Sequence, residues 1–310
     1  MAHERGGLPW WGPARLPFLL LTPACMALAL AGCHLAAQAQ GLSLSLVDGV
    51  AAVLGALAAH VGVNALNEHH DFRSGLDLRT QRTPFSGGSG ALPAHPGLVP
   101  LAWRMGTGCL ALAGLTGLWL LSRHGAAWPV LLPVGVAGLG LAAAYTPWVT
   151  RHPWLCLIAP GLGFGPLMGW GTVSVLVGVQ ASTVAWLLPL LPFFLVNNLL
   201  LLNQFPDVDA DRSVGRRTLP MQWGRRRCAH LIGLQSALAY ALLASMVAAR
   251  LLPVSAMAGL LTLPLAWQVW RGAAAHADAP EALLPTLGRN VALTLLTPVL
   301  VALGVAWSAH

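Results

Sequence analysis

Two short stretches hold most of the chain's acidity. Asn64 to Gly90 reads NALNEHHDFRSGLDLRTQRTPFSGGSG, and Asn203 to Pro220 reads NQFPDVDADRSVGRRTLP. Six of the ten acidic residues, Glu68, Asp71, Asp77, Asp207, Asp209 and Asp211, fall in these intervals. The pattern Asn-[Glu/Gln]-x-x-Asp occurs as Asn67-Glu68-x-x-Asp71 and again as Asn203-Gln204-x-x-Asp207, and an Arg-Thr pair follows each, Arg82-Thr83 and Arg217-Thr218. If helices carry the motifs, Asn64, Asn67 or Glu68, and Asp71 share one face, as do Asp207 and Asp211. Two such faces brought together concentrate negative charge, which cations between the carboxylates would relieve. Oxygen-rich sites of this kind suit magnesium, which keeps several waters and is held through a few carboxylates plus substrate phosphates. The neighbouring arginines, Arg73, Arg79, Arg82, Arg212, Arg216 and Arg217, can grip phosphate oxygens in pairs. Acids, magnesium and arginines together describe a diphosphate site.

The elements that must position these residues are apolar helices. The 310-residue chain is 56% hydrophobic and 9% charged, and apolar runs near twenty residues long recur from about Pro17 to Trp307. This composition predicts an all-α, polytopic membrane protein forming one domain over 1–310, and it excludes a soluble globular fold. Nine spans are expected, at about 16–35, 43–64, 98–121, 126–146, 154–177, 182–203, 228–249, 251–271 and 286–307. With the N-terminus inside, fifteen of the seventeen basic residues, Arg5 and Arg15 among them, lie on the inner side; only Arg123 and Arg250 lie outside. By the positive-inside rule both polar loops, 65–97 and 204–227, are cytoplasmic. The basic pI of about 10.1 therefore serves membrane orientation and does not argue for nucleic acid. The trio Arg225-Arg226-Arg227 reads as a topological anchor to anionic lipid.

Several features admit more than one reading. Arg5 and Arg15, the apolar run from Pro17 and Leu30-Ala31-Gly32-Cys33 have the look of a secretory signal ending at a lipidated cysteine, although nine spans account better for the arginine distribution. Cys25, Cys33, Cys109, Cys156 and Cys228 lack CxxC spacing and predict free thiols. The equivalent positions of the two acidic motifs suggest a four-span duplication. Thr83 to Gly90, TPFSGGSG, reads as a flexible lid or a linker and does not match a nucleotide-binding loop.

Both motifs, NALNEHHDFRSGLD and NQFPDVDADRSVGRRTLP, resemble the aspartate-rich motifs of the UbiA superfamily of intramembrane prenyltransferases. ARLPFLLLTP at 14–23 is similar to the entry of that family's first helix. YTP at 145–147 and GFGPLMGWGT at 163–172 are similar to segments of its menaquinone-pathway branch, whose members prenylate 1,4-dihydroxy-2-naphthoate. The resemblance implies nine helices around a central cavity, a polyprenyl diphosphate bound through Mg2+, and transfer of its isoprenoid chain to an aromatic acceptor. It further implies that Asn64, Asn67, Asp71 and Asp77 serve the first metal and diphosphate site and Asn203, Asp207 and Asp211 the second. Arg82, Arg216 and Arg217, with Arg73 and Arg212, would meet diphosphate oxygens, and Tyr145 would support the reacting centre. The chain departs from the branch at Glu68, where aspartate is usual, and at His69-His70; Glu68 is expected to hold metal directly or through water, the histidines to be interfacial. Two other classes fit the same residues, a cation transporter and a non-catalytic isoprenoid-binding relative.

Overall fold

The computed structural model describes residues 10–80 and 82–308; Arg5 lies outside the described residues. Among them the secondary structure is entirely helical. After 3-10 turns at Gly12–Ala14 and Leu16–Leu20 come α1 (Leu21–Gln40), α2 (Leu46–Arg73), the short α3 (Ala91–Ala94), α4 (Val99–Arg123) and α5 (Trp128–Ala144). A broken helix follows, α6 (Pro153–Leu162), a π-helical turn Gly163–Leu167 and α7 (Met168–Leu176). The rest comprises α8 (Thr183–Leu187), α9 (Leu190–Ser213), α10 (Leu219–Trp223), α11 (Arg225–Ala248), a 3-10 helix Val254–Thr262 leading into α12 (Leu263–Ala275), and α13 (Leu284–Trp307).

Eight helical stretches of the described residues are long and apolar enough to cross a bilayer. The protein is an integral membrane protein, and its outward faces carry Leu112, Leu115, Leu118, Trp119 and Val136 exposed to lipid. The expected span at 251–271 is the exception, being a 3-10 helix joined to an α-helix. Pro264, Gln268 and Arg271 lower its hydropathy, and Thr262 is held by hydroxyls on both neighbours, Tyr240 and Thr297, each at 2.8 Å. Arg226 pairs with Asp278 at 3.2 Å, so the end of this segment lies beside the start of α11 and the two run antiparallel.

The polar loops are shorter than expected. α2 continues from the bilayer region through Asn64, Asn67 and Asp71 to Arg73, and α9 through Asn203 and Asp207 to Ser213, with Pro206, which has no N–H to donate, inside its final turns. α9 is central: Leu195, Leu201, Leu202 and Phe205 are fully buried against α11 and α13. Gly161, Gly165 and Gly169 let the broken helix press against α9, since a Cβ at any of them would collide with Pro189, Phe193 or Asn197. Across the molecule, Asp48 in the first turn of α2 takes Arg123 Nε at 2.8 Å and His124 Nε2 at 2.9 Å, which locks the far end of α2 to α4. Cys33 is wholly buried within α1 beside Ala36, Val173 and Ala185, and all five cysteines are free.

Candidate active site

The last turns of α2 present Asn64, Asn67 and Asp71 to a central cavity, at spacings of three and four that keep one face. Gly75 (φ 76°) then reverses the chain in the left-handed region, and a 3-10 turn, Leu76–Leu78, brings Asp77 back over the same mouth. Opposite, α9 presents Asn203, Asp207 and Asp211 at intervals of four. Arg216, from the loop after α9, closes the gap: its Nη1 donates to Asp211 Oδ1 at 3.0 Å and its Nη2 to Asp71 Oδ1. One guanidinium thus bridges the two acidic motifs.

Not all the oxygens at this end are satisfied. Asp77 Oδ2, Asn203 Oδ1 and Asp207 Oδ1 are buried and have no hydrogen-bond partner. Such orphaned acceptors are costly unless something positive meets them. Burial, followed by the charges of Glu68 and Asp71, pushes the Asp77 carboxyl up to about 7. Among the described residues no three His, Cys, Asp or Glu side chains converge on one metal position. The donors instead ring the cavity mouth as hard oxygen ligands, an arrangement that fits a magnesium ion completing its shell with water and phosphate oxygens.

The cavity measures about 590 Å³ and narrows from this polar mouth into an apolar body between α2, α4, α5 and the broken helix. Small residues, including Ala52, Gly55, Ala59, Gly117, Gly135 and Gly138, alternate in its wall with large ones such as Leu118, Leu132 and Leu139. His60 interrupts it, its Nδ1 2.8 Å from Thr22 Oγ1 and its ring edge-on to Phe164 on the π-helical turn, at 4.6 Å between centroids. Tyr145 lines the mouth at the end of α5, next to Cys156, whose sulfur accepts from Gln204 Nε2 at 3.4 Å. Asn67 is oriented by donating to Thr146 Oγ1 at 3.0 Å, and Asn64 by donating to the Ala14 carbonyl at 3.0 Å.

Five of the sequence-derived site residues stand away from the cavity wall. Arg73 is exposed at the end of α2. Arg82 is exposed and donates to the Ser89 carbonyl. Arg212 is exposed and pairs with the solvated Asp209 at 3.4 Å, while the exposed Arg217 gives its backbone N–H to Thr150 O at 2.9 Å. Glu68, adjacent to Asn67 in sequence, lies about 100° around the helix from it. There its carboxylate takes Arg15 Nε at 2.6 Å. His69 is buried with Nδ1 3.3 Å from Val99 O and its ring tilted on Trp103; it and His70 face α4 and not the cavity. Arg15 is a cavity residue to which the sequence reading gave no part in the site. Its signal was present, a single arginine set directly before an apolar span that opens with Leu16-Pro17.

The fold is shared with solved structures of distant sequence. It is similar to a UbiA homolog from Archaeoglobus fulgidus bound to DMAPP and Mg2+, with TM-score 0.60, 16% identity, and 95% of this chain and 99% of that chain covered. The same homolog bound to GPP and Mg2+ gives a TM-score of 0.59 at 16% identity with the same coverage. A digeranylgeranylglyceryl phosphate synthase gives 0.56 at 14% identity, covering 94% of this chain and 98% of that one. No curated protein matches the sequence. Residues 25–291, most of the chain and both acidic motifs, match the UbiA prenyltransferase family, and the protein belongs to that family.

Proposed function

We propose that the protein is a magnesium-dependent prenyltransferase that moves an isoprenoid chain from a polyprenyl diphosphate to an aromatic acceptor. The observation that carries this reading is the cavity itself, with two facing acidic helix ends and an arginine at one end and a small-residue apolar body beyond them. The solved neighbours that hold DMAPP or GPP with Mg2+ lend it support.

Asn67, Asp71, Asp77, Asn203, Asp207 and Asp211 would hold magnesium, which when bound neutralises the diphosphate and stabilises it as a leaving group. Asp71 and Asp207, one from each motif, are the catalytic carboxylates in this reading. Arg216, already poised between the motifs, turns its guanidinium to the oxygens where charge grows as the allylic C–O bond breaks. The apolar wall receives the hydrocarbon chain and keeps water from the electron-poor carbon. Tyr145 bounds the space where the acceptor ring attacks that carbon. Asn64, Arg15 and the backbone around Ser86 complete the polar rim; Arg73, Arg82, Arg212 and Arg217 act at most on the approach of the anionic substrate. The N-terminus and both acidic motifs face the cytoplasm in this reading, where diphosphates are available.

Of the acceptors, 1,4-dihydroxy-2-naphthoate follows from the branch resemblance; the new C–C bond forms at the ring carbon that loses its carboxylate as CO2. Detergent-purified protein incubated with geranylgeranyl diphosphate and this acceptor, in magnesium or EDTA, should yield a magnesium-dependent prenyl-naphthoquinol by mass spectrometry, absent from Asp71→Ala. Diphosphate release without that product would reject the acceptor and move the assay to phenols and glyceryl lipids. Absence of both, across chain lengths, would reject the enzyme reading.

A further inference from the structure

The segment Thr83 to Gly90 crosses the cavity mouth as a strap. One edge is seated by Phe85, whose ring lies where a Cβ on Gly288 of α13 would meet it at 3.2 Å. Its middle, Ser86, Gly87 and Gly88, lines the cavity. Its start is closed on itself, with Thr83 Oγ1 accepting the amides of Phe85 and Ser86 at 3.1 and 2.9 Å. The far edge is held at Ser89, whose carbonyl accepts from the exposed Arg82 and whose amide and hydroxyl both donate to one buried side chain. Glu68 is completely buried, and its Oε1 accepts Ser89 N at 2.6 Å while its Oε2 accepts Ser89 Oγ at 2.7 Å. Gly88 (φ 74°) lies so close that a Cβ there would stand 3.3 Å from Glu68 Oε1 and 2.9 Å from Asp77 Oδ1.

The same carboxylate also fixes Arg15, through Nε at 2.6 Å. That bond uses the Nε edge of the guanidinium, and Arg15 lines the cavity. Three donors therefore converge on Glu68, and it is absent from the cavity wall that Asn67 and Asp71 line. A ligand of a cation in the cavity would need a lone pair aimed there. Three of the roughly four lone-pair sites of Glu68 are taken by the strap and Arg15, both of Oε1 among them.

We propose that Glu68 is a positioning residue, the latch that seats the Ser86–Gly90 strap over the mouth and orients Arg15 beneath it, and that it does not ligate the cation. The extra methylene relative to aspartate is what lets the carboxylate reach Ser89. The inference rests on the prenyltransferase reading only where the cation is concerned.

The test has two readouts. Hydrogen–deuterium exchange of residues 86–90 is measured in wild type, Glu68→Asp and Ser89→Ala, and manganese(II) affinity in the presence of geranylgeranyl diphosphate is measured by EPR in wild type, Glu68→Gln and Asp71→Asn. Loss of the buried hydrogen bond between the Glu68 carboxylate and the Ser89 hydroxyl should speed exchange of residues 86–90 about tenfold in Glu68→Asp and Ser89→Ala; residue 91 is left out because Ser89 Oγ also accepts the Ala91 amide. The KM for diphosphate should rise with it while kcat changes little. Manganese affinity in Glu68→Gln should fall by no more than the roughly 10–100-fold that a supporting group outside the coordination shell costs, with Asp71→Asn losing it. Unchanged strap exchange in Ser89→Ala, which leaves the Glu68–Arg15 pair and hence folding intact, overturns the latch. A loss of manganese affinity in Glu68→Gln as large as that in Asp71→Asn overturns it as well. Wild type binding no manganese at all would instead sink the prenyl diphosphate reading, and strap exchange would still decide the latch.

Discussion

Arg216 offers the sharpest test of the facing-carboxylate site, through Arg216→Met. The side chain is 16% exposed, and its partners Asp71 and Asp211 are 8% and 5% exposed. The substitution keeps an unbranched apolar stem but leaves two buried carboxylates without their cation. Removing one member of a buried ion pair costs about 3–5 kcal/mol, and in a chain of this size each kcal/mol lowers Tm by roughly 2–4 °C. A drop of about 10 °C in magnesium-free buffer follows, read from intrinsic tryptophan fluorescence in detergent. Magnesium then substitutes for the guanidinium. At about one hundred times its Kd it returns about 2.7 kcal/mol, which is more than half of the loss. The wild type gains less at the same concentration, because Arg216 already sits between the motifs and must be displaced. A variant whose Tm is indifferent to magnesium, or a wild type stabilised as strongly as the variant, would refute the placement of the two acidic faces around a shared cation.

Three further outcomes are expected. The Asp77 carboxyl, raised to about 7, is still largely protonated at pH 6, so the folded state binds a proton that the unfolded state has released. Stability measured by denaturant should therefore fall as pH rises from about 4 to 7, cation affinity by EPR should rise from pH 6 to 8 as the ligand ionises, and Asp77→Asn should flatten both. Gly138→Leu and Gly135→Leu fill the open cavity wall about 10 and 15 Å below Tyr145, at 1.5 Å per residue along α5. Both should penalise farnesyl more than geranyl diphosphate, by up to ~4 kcal/mol for the roughly five carbons expelled into water, and Gly138→Leu should do so more severely; equal losses for both substrates would place the chain elsewhere. Gly161→Ala drives a methyl into Phe193 O and Asn197 Oδ1, where Gly161 N now donates at 2.8 Å, and should destabilise by about 1–3 kcal/mol in thermal unfolding without altering the cation affinity of the remaining folded protein.

What the sequence made legible was local. The repeated Asn-x-x-x-Asp spacing located both acidic helix ends, and hydropathy located eight helices, because each signal lies within a few turns of chain. Glu68 was grouped with Asn67 because the two are neighbours in sequence, yet one helical step turns them to different surfaces. Arg73, Arg82, Arg212 and Arg217 were assigned by proximity to the motifs, but exposed helix ends and loops carry them outward. Arg15 reaches the site from 53 residues away across the α1–α2 packing. No periodicity encodes that meeting; it depends on tertiary contacts, as does the partnership of Asp71 with Arg216 across 145 residues.

The 3-10 and α-helical pair Val254–Ala275 has a consequence for biogenesis. Pro264, Gln268 and Arg271 keep it out of the eight stretches of the described residues that are apolar enough to cross a bilayer, since polar and charged side chains add partition penalties that its leucines only partly offset. During synthesis the segment is therefore a poor insertion signal by itself. It becomes stable between leaflets only when α11 and α13 flank it, with the Tyr240 and Thr297 hydroxyls each 2.8 Å from Thr262 Oγ1 on either side. The C-terminal third of the protein must enter the membrane as a cooperative three-helix unit, and a nascent chain halted before α13 would leave this segment at the translocon or in water, a ready substrate for quality-control proteolysis.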